Sequence, residues 1–328
     1  MAVLITGGAG YIGSHIALNF LDQGRKVVIV DDLSTGRIEL VPNNALFVRT
    51  DIRDTATLVR TMQAHQIEAV VHCAASTVVP DSVAKPLDYY ENNVGGTISL
   101  LRAMKQSSVN RIIFSSTAAV YGIGDGTPLN EESPLDPASP YGTTKLIAEK
   151  IIRDIAATNN LSFVILRYFN VAGADPLGRA GQATPNATHL IKLALEAACG
   201  IRPNMTIYGT DWPTHDGTGV RDFIHVSDLA SAHSEADAYL SAGGDNQILN
   251  CGYGQGYSVK QVVDVVQSVS GTTLQLLLAD RRPGDLPQVI ADPTRLMTLL
   301  DWKPRYNSIE TIIRHAFAWE SMRAALQQ

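Results

Sequence analysis

The chain has 328 residues, 45% hydrophobic and 18% charged, with a formal net charge of −6. That composition suits one large or two medium domains with real cores. An acidic balance without a Lys/Arg run argues against nucleic acid as a partner.

The opening "MAVLITGG" has too short an apolar stretch for a signal peptide, and no later run approaches the ~20 apolar residues of a membrane span. Cys73, Cys199 and Cys251 are far apart and odd in number, which fits a reducing cytoplasm better than a disulfide framework. The eight histidines show no paired ligand spacing, so no metal site is expected.

In chain order, "VLIT" (3–6), "KVVIV" (26–30), "LFV" (46–48), "AVVHC" (69–73), "RIIFS" (111–115) and "SFVILRY" (162–168) read as short strands, apolar on both faces. Helical patterns near 11–23, 54–66, 87–107 and 141–159 alternate with them. Strand alternating with helix predicts an α/β fold with a doubly wound parallel sheet, the Rossmann architecture, over 1–170. The Gly- and Pro-rich stretch 170–188 reads as a long ordered loop of the kind that carries function. Helices near 187–199, 226–240, 258–269 and 308–326, with brief strands between them, predict a smaller α/β domain over 171–328. The chain has room to cross back once.

"VLITGGAGYIGSHIA" sets glycines at 7, 8, 10 and 13 between the first strand and first helix. Gly7 and Gly8 suit a tight turn, Gly10 a close approach to a pyrophosphate, and Gly13 the packing of helix on strand. A plain glycine turn is the alternative, and the strand–loop–helix context argues against it. Asp31 closes the second strand 18 residues after Gly13, where a carboxylate accepts both ribose hydroxyls and repels a 2′-phosphate, favouring NAD over NADP. Asp51 and Ile52, after the third strand, are candidates for adenine contact; Asp51 reads equally as an acid at a helix start.

The fifth strand ends in Ser115, Ser116 and Thr117, at the sheet edge where ligands of open α/β folds bind. "SPYGTTK" follows, with Pro140 at a helix start and Tyr141 and Lys145 one turn apart on one face. A phenol ionises near pH 10. A neighbouring ammonium and the positive charge of an oxidised nicotinamide would bring it into range as a general base. On its own the spacing also fits a surface tyrosine and a solvated lysine.

Together "TGGAGYIGS", "HCAA", "YYENNVGGT", "FSSTAAVYG", "SPYGTTK" and "RYFNVAGADP" resemble the extended short-chain dehydrogenase/reductase family. "GTGVRDFIHVSDLA" and "RRPGDLP" narrow the resemblance to its UDP-sugar 4-epimerases, over essentially the whole chain. The resemblance implies that Tyr141 is the base, that Lys145 lowers its pKa and holds the nicotinamide ribose, and that Thr117 is the hydroxyl partner. It implies NAD contacts from Gly7, Gly10, Tyr11, Ile12, Gly13, Asp31, Asp51, Ile52, Asn92, Ser115 and Tyr168. Asn170, Arg221 and Arg282 would meet a UDP-sugar diphosphate, Tyr208 the uracil and Asp285 the uridine ribose. From the residues alone, Arg221–Asp222 and Arg282–Asp285 could instead be structural ion pairs.

The reaction implied is UDP-glucose/UDP-galactose interconversion: NAD stays bound, and a 4-keto sugar held through its nucleotide rotates and is reduced on its other face. A dehydrogenase releasing its products is the neighbouring chemistry. Ala118 and Ala119 follow Thr117 where sugar-nucleotide dehydratases carry an Asp-Glu pair, which argues against elimination. A cofactor-sensing binding protein would be expected to lack the Tyr or the Lys. Departures from the family pattern are Thr77, where some epimerases place a Lys, His189 beside Leu190, where some use Asn, and Val289. The last stands where a bulky Tyr restricts the pocket and a small residue admits an N-acetyl group, so N-acetylhexosamine and pentose sugars stay open. A homodimer through helices 87–107 and 141–159 is a family expectation.

Overall fold

The computed structural model describes residues 2–122, 126–184, 187–282 and 284–325; Pro283 of "RRPGDLP" and the last residue of the helix expected over 308–326 lie outside them. Strands β1 (Ala2–Thr6), β2 (Lys26–Asp31), β3 (Leu46–Arg49), β4 (Ile67–His72), β5 (Arg111–Thr117) and β6 (Ser162–Tyr168) lie within two residues of the expected bounds. Helix α1 (Tyr11–Asp22) fills the crossover from β1 to β2 and α2 (Thr55–Ala64) that from β3 to β4.

The next crossover differs from the single helix expected over 87–107. It is built from α3 (Val79–Ala84), α4 (Pro86–Tyr89), a π-helical segment Tyr90–Gly95, and α5 (Gly96–Gln106). Pro86 pushes Lys85 out of helical geometry, to φ −134° and ψ 58°, and so separates α3 from α4. Asn93, in the π turn, donates to the Ser76 carbonyl at 3.0 Å and to Thr144 Oγ1 at 2.9 Å. A π turn is often found at a functional site, and this one binds the β4 loop to α6 (Pro140–Thr158).

Beyond β6 run β7 (Asn170–Ala172), α7 (Leu190–Ala198), β8 (Met205–Tyr208), β9 (Val220–His225), α8 (Val226–Ser241) and β10 (Gln247–Cys251). Then come β11 (Gly256–Ser258), α9 (Val259–Ser270), β12 (Leu276–Ala279), β13 (Gln288–Val289), α10 (Thr294–Leu299) and α11 (Ile309–Ala325). The large sheet has seven strands in the order β10-β6-β5-β4-β1-β2-β3, all paired in parallel. The chain therefore returns to this sheet after residue 170: β10 pairs with β6, Leu249 opposite Leu166, and α8 packs against α1.

Alternate strand residues feed two apolar layers. Val3, Ile5, Ile29, Val71, Ile113 and Val164 face α1 and α8; Leu4, Val28, Val70, Ile112, Phe114 and Ile165 face α2, α5 and α6. Both faces are covered, so the strands read as continuous apolar runs rather than alternating ones. In the second half β7, β11 and β13 pair with β9, and β12 pairs with β8. The 170–188 loop closes on itself: Asp175 accepts from the Arg179 backbone at 3.2 Å, and Arg179 pairs with Asp22 of α1 at 2.8 Å.

The tightest contact in the β1–α1 turn is at Gly13, where a Cβ would lie 2.2 Å from the Gly7 carbonyl oxygen. That atom is backbone and cannot rotate away. Gly13→Ala is expected to lower stability by about 1–3 kcal/mol, read as a lower urea midpoint with an unchanged m-value.

Candidate active site

The nucleotide loop is shaped by two glycines. Gly7 sits at φ +69°, a conformation open to glycine, and a Cβ there would lie 2.7 Å from the Ala74 amide nitrogen. Gly13 lays the first turn of α1 directly on the loop. Gly10 is the N-cap and brings no side-chain cap, so the first N–H groups of α1 remain available to an anion. The Asp31 carboxylate is buried and accepts from Ala9 N at 3.0 Å and Leu33 N at 2.8 Å. Burial raises its pKa while these two bonds lower it. Each oxygen keeps a lone pair for a further donor. A glycine cradle at a helix N-terminus and a carboxylate one strand away fit a dinucleotide.

The other expected cofactor residues are placed as follows. Tyr11 turns its hydroxyl to the Gly173 carbonyl at 2.7 Å, fastening the loop after β7 to α1. Ile12 packs against the α1-side core, and Ile52 is buried against Gly96 of α5. Asp51 is paired with Arg53 at 2.6 Å, which lowers its pKa; the cap of α2 is Asp54, accepting from Thr57 N at 3.0 Å. Asn92 donates to Ser76 Oγ at 3.0 Å, next to the exposed Thr77. The Ser115 hydroxyl turns toward α8, 2.8 Å from His233 Nε2 and 3.2 Å from Cys73 Sγ. Tyr168 ends β6 directly opposite Thr117.

Helix α6 begins as its sequence demands: Ser139 Oγ accepts from Gly142 N at 3.2 Å, and Pro140 fills the first turn. Tyr141 and Lys145 are both buried on its inner face. Thr117, the last residue of β5, lies beside the Tyr141 phenol and accepts from Ala119 N at 3.1 Å. Burial pushes the Tyr141 phenol up to about 12, against a downward pull from Thr117. Lys145 donates to the Ser115 carbonyl at 2.8 Å and lies 4.8 Å from the centre of the Phe114 ring. Burial brings its pKa down to about 8, with Cys73 and Glu149 pulling it back up. The protein groups by themselves therefore hold Tyr141 protonated, and the cationic contribution expected from Lys145 is directed first at the end of β5.

In the second half, Asn170, His189 and Leu190 line one cavity with Tyr11. His189 precedes α7, its Nδ1 lies 3.3 Å from Gln182 Nε2, and burial lowers its pKa. Arg221 reaches Asp285 at 4.0 Å, and β13 sets Val289 beside Arg221 in register. Asp222 serves a different purpose, accepting from the backbone of Tyr253, Gly254 and Ala291 at 2.9–3.2 Å. The Arg282 guanidinium lies over the Tyr208 ring, 3.8 Å from its centre. Val289 packs with Val120, Tyr121 and Phe169, joining the second half to the segment that follows Thr117.

This chain's residues 3–252 match the model of the NAD dependent epimerase/dehydratase family. The chain belongs to that family. It is 50% identical to a UDP-glucose 4-epimerase of Azospirillum brasilense over 318 residues, 97% of this chain and 91% of that one. It superposes on the crystal structure of UDP-glucose 4-epimerase from Brucella ovis in complex with NAD with a TM-score of 0.95, at 42% identity and 98% coverage of both chains. The UDP-Glc/GlcNAc 4-epimerase of Campylobacter jejuni is similar at 41% identity and a TM-score of 0.85, covering 98% of this chain and 99% of that one.

Some residues that shape the site in this member of the family carried no motif of their own. A Cβ on Gly142 would lie 2.3 Å from the Ala119 carbonyl oxygen, so glycine alone lets α6 start against the turn after β5. Its signal was present in "SPYGTTK", in the residue between the tyrosine and the lysine. Asn93 and His233 gave only the weaker signal of polar residues inside apolar helical faces.

The depressed Lys145 pKa carries a stability consequence. Between about 8 and 10.5 the unfolded chain holds the proton and the folded chain does not, so this contribution raises stability as pH increases through that window. Wild-type protein is expected to gain stability relative to Lys145→Met from pH 8 to pH 10.5, measured as paired urea midpoints.

Proposed function

We propose that the protein is a UDP-glucose/UDP-galactose 4-epimerase that keeps NAD bound through the cycle. The observation carrying this reading is the convergence of Tyr141, Lys145 and Thr117 at the carboxyl edge of the sheet, in a chain 50% identical to a UDP-glucose 4-epimerase. When bound, NAD would supply a reversible hydride acceptor for C4 of the sugar.

The chain's residues supply the rest. Tyr141 receives the C4 hydroxyl proton and gives it back, so its proton count is unchanged over a cycle. Thr117 orients that phenol. Lys145, fixed by the Ser115 carbonyl, supports the phenolate and holds the nicotinamide ribose. Gly7, Gly10 and Gly13 admit the pyrophosphate, and Asp31 receives the adenosine ribose. Arg221 and Arg282 meet the diphosphate with forked donors, with Asn170 and His189 beside it; Tyr208 and the Leu190 backbone face the uracil, and Asp285 its ribose. A firm hold on the nucleotide with few contacts to the hexose lets the ketone turn between hydride transfers. A homodimer and a cytoplasmic setting accompany this reading, the latter supported by three free cysteine thiols.

Val289 favours a second activity. Its side chain is shorter than the tyrosine of restrictive epimerases, and it packs with Val120 and Phe169 beyond the end of β5. Turnover of UDP-N-acetylhexosamines is therefore expected alongside that of the plain hexoses, and Val289→Tyr should lower it selectively in a UDP-GalNAc assay. Equal UDP-GalNAc rates in the two proteins would remove the idea. Tyr141→Phe is expected to lose about 10²- to 10⁴-fold in kcat while native mass spectrometry still finds NAD on the protein. Full activity in that variant would overturn the assignment of the base.

A further inference from the structure

Beneath the Tyr141–Lys145 face of α6 lies a carboxylate that the chemistry above does not use. Glu149 follows Lys145 by one helical turn and is 1% exposed. It accepts from Arg167 Nε at 3.0 Å and Nη2 at 2.6 Å, and from Ser116 Oγ. Arg167, also 1% exposed, reaches the Tyr121 hydroxyl at 3.1 Å and the Glu131 carbonyl at 3.4 Å. Tyr121 donates to Asn250 Oδ1 at 2.6 Å, and Asn250 to the Leu129 carbonyl at 2.7 Å.

A buried ion pair is poor evidence for stability, because desolvation offsets most of its attraction. Its placement is informative. Ser116 sits between Ser115, whose carbonyl holds Lys145, and Thr117; Arg167 immediately precedes Tyr168. One carboxylate thus ties α6 to the two strands whose ends form the site. We propose that Glu149 is a positioning residue for the Tyr141–Lys145 pair, fixing α6 on β5 and β6 through Ser116 and Arg167 and supporting the Lys145 ammonium with its charge.

The groups facing Lys145 agree with this role. Cys73 at the end of β4 and Glu149 on α6 favour its charge, and burial opposes it. His72 of β4 is kept neutral by burial and by Lys145 itself. Tyr141 on α6 and Tyr168 at the end of β6 are protonated, their pKa values raised by burial, and Phe114 and Ser115 of β5 offer a ring face and a carbonyl. Among these groups Glu149 is the carboxylate, one helical turn from Lys145.

The use made of Lys145 rests on the epimerase reading; the placement of Glu149 does not. The test is carbon NMR of full-length protein labelled at the lysine Cε, with the Lys145 signal identified by its loss in Lys145→Arg. In Glu149→Gln the Lys145 titration is expected about one pH unit lower. Glu149→Gln leaves Arg167 buried without a counter-charge and risks unfolding. The double variant Glu149→Gln/Arg167→Met removes both buried charges and should shift in the same direction by a smaller amount, since the Arg167 cation goes too. The alkaline limb of kcat should move down with it, KM staying constant. A folded variant with an unmoved Lys145 titration overturns the proposal, as does a fall in kcat at every pH with an unmoved limb. Failure of the epimerase reading would show separately, as wild-type protein that interconverts no UDP-sugar while its Lys145 still titrates.

Discussion

The site depends on a close approach between two pieces of backbone. Helix α6 starts against the turn that ends β5, with Gly142 beneath the Ala119 carbonyl and a Cβ forbidden there at 2.3 Å. That contact sets Tyr141 beside Thr117. A side chain at position 142 would lift the helix by roughly its own radius and move the phenol away from Thr117. The rest of the arrangement keeps this approach in register. Ser139 caps the helix from outside, Lys145 pins its second turn to Ser115, and Glu149 pins its third turn to Ser116 and Arg167. The second and third turns are thus fixed to adjacent positions of one strand end.

Much of this was legible because strand and helix periods leave strong traces when both faces of a sheet are covered. "KVVIV" and "SFVILRY" have no polar face to interrupt them, and the structure gives strands at 26–31 and 162–168. The tight glycines of "TGGAGYIGS" were legible for a similar reason, since Gly7 and Gly13 answer local steric demands. The broken helix over 79–106 was not, although Pro86 marked its first break. The π turn at Tyr90–Gly95 depends on Asn93 reaching Thr144, 51 residues away, and no local pattern records such a partner. The return of β10 to the large sheet was legible only as room for one crossing, because "QILNC" looks the same wherever it pairs.

Two expectations about charge were refined by three-dimensional detail. Arg221 and Asp222 are neighbours in sequence, yet alternate pointing along β9 separates them: the arginine turns to Asp285, while the carboxylate gathers three backbone N–H groups. Lys145 and Tyr141 share a helical face as the spacing required, but the ammonium spends its nearest bond on the Ser115 carbonyl. Adjacency in a motif fixes which face a residue occupies. It does not fix which partner that residue chooses.

The proposed diphosphate site would have to work in an acidic protein. Its net charge is −6, so long-range attraction for a diphosphate must come from a local concentration of cations. Three arginines stand near β8, β9 and β12, and their partners differ. Arg281 is committed to Asp211 at 2.7 Å. Arg221 meets Asp285 only at 4.0 Å, and burial makes its charge harder to hold without a better counter-ion. Arg282 rests on the Tyr208 ring, which neutralises none of its charge. Two guanidinium groups are therefore held in place without full compensation. A doubly charged ligand would relieve both at once, gaining more from them than from solvated lysines, because burial has partly dehydrated the Arg221 fork and the Tyr208 ring orients that of Arg282.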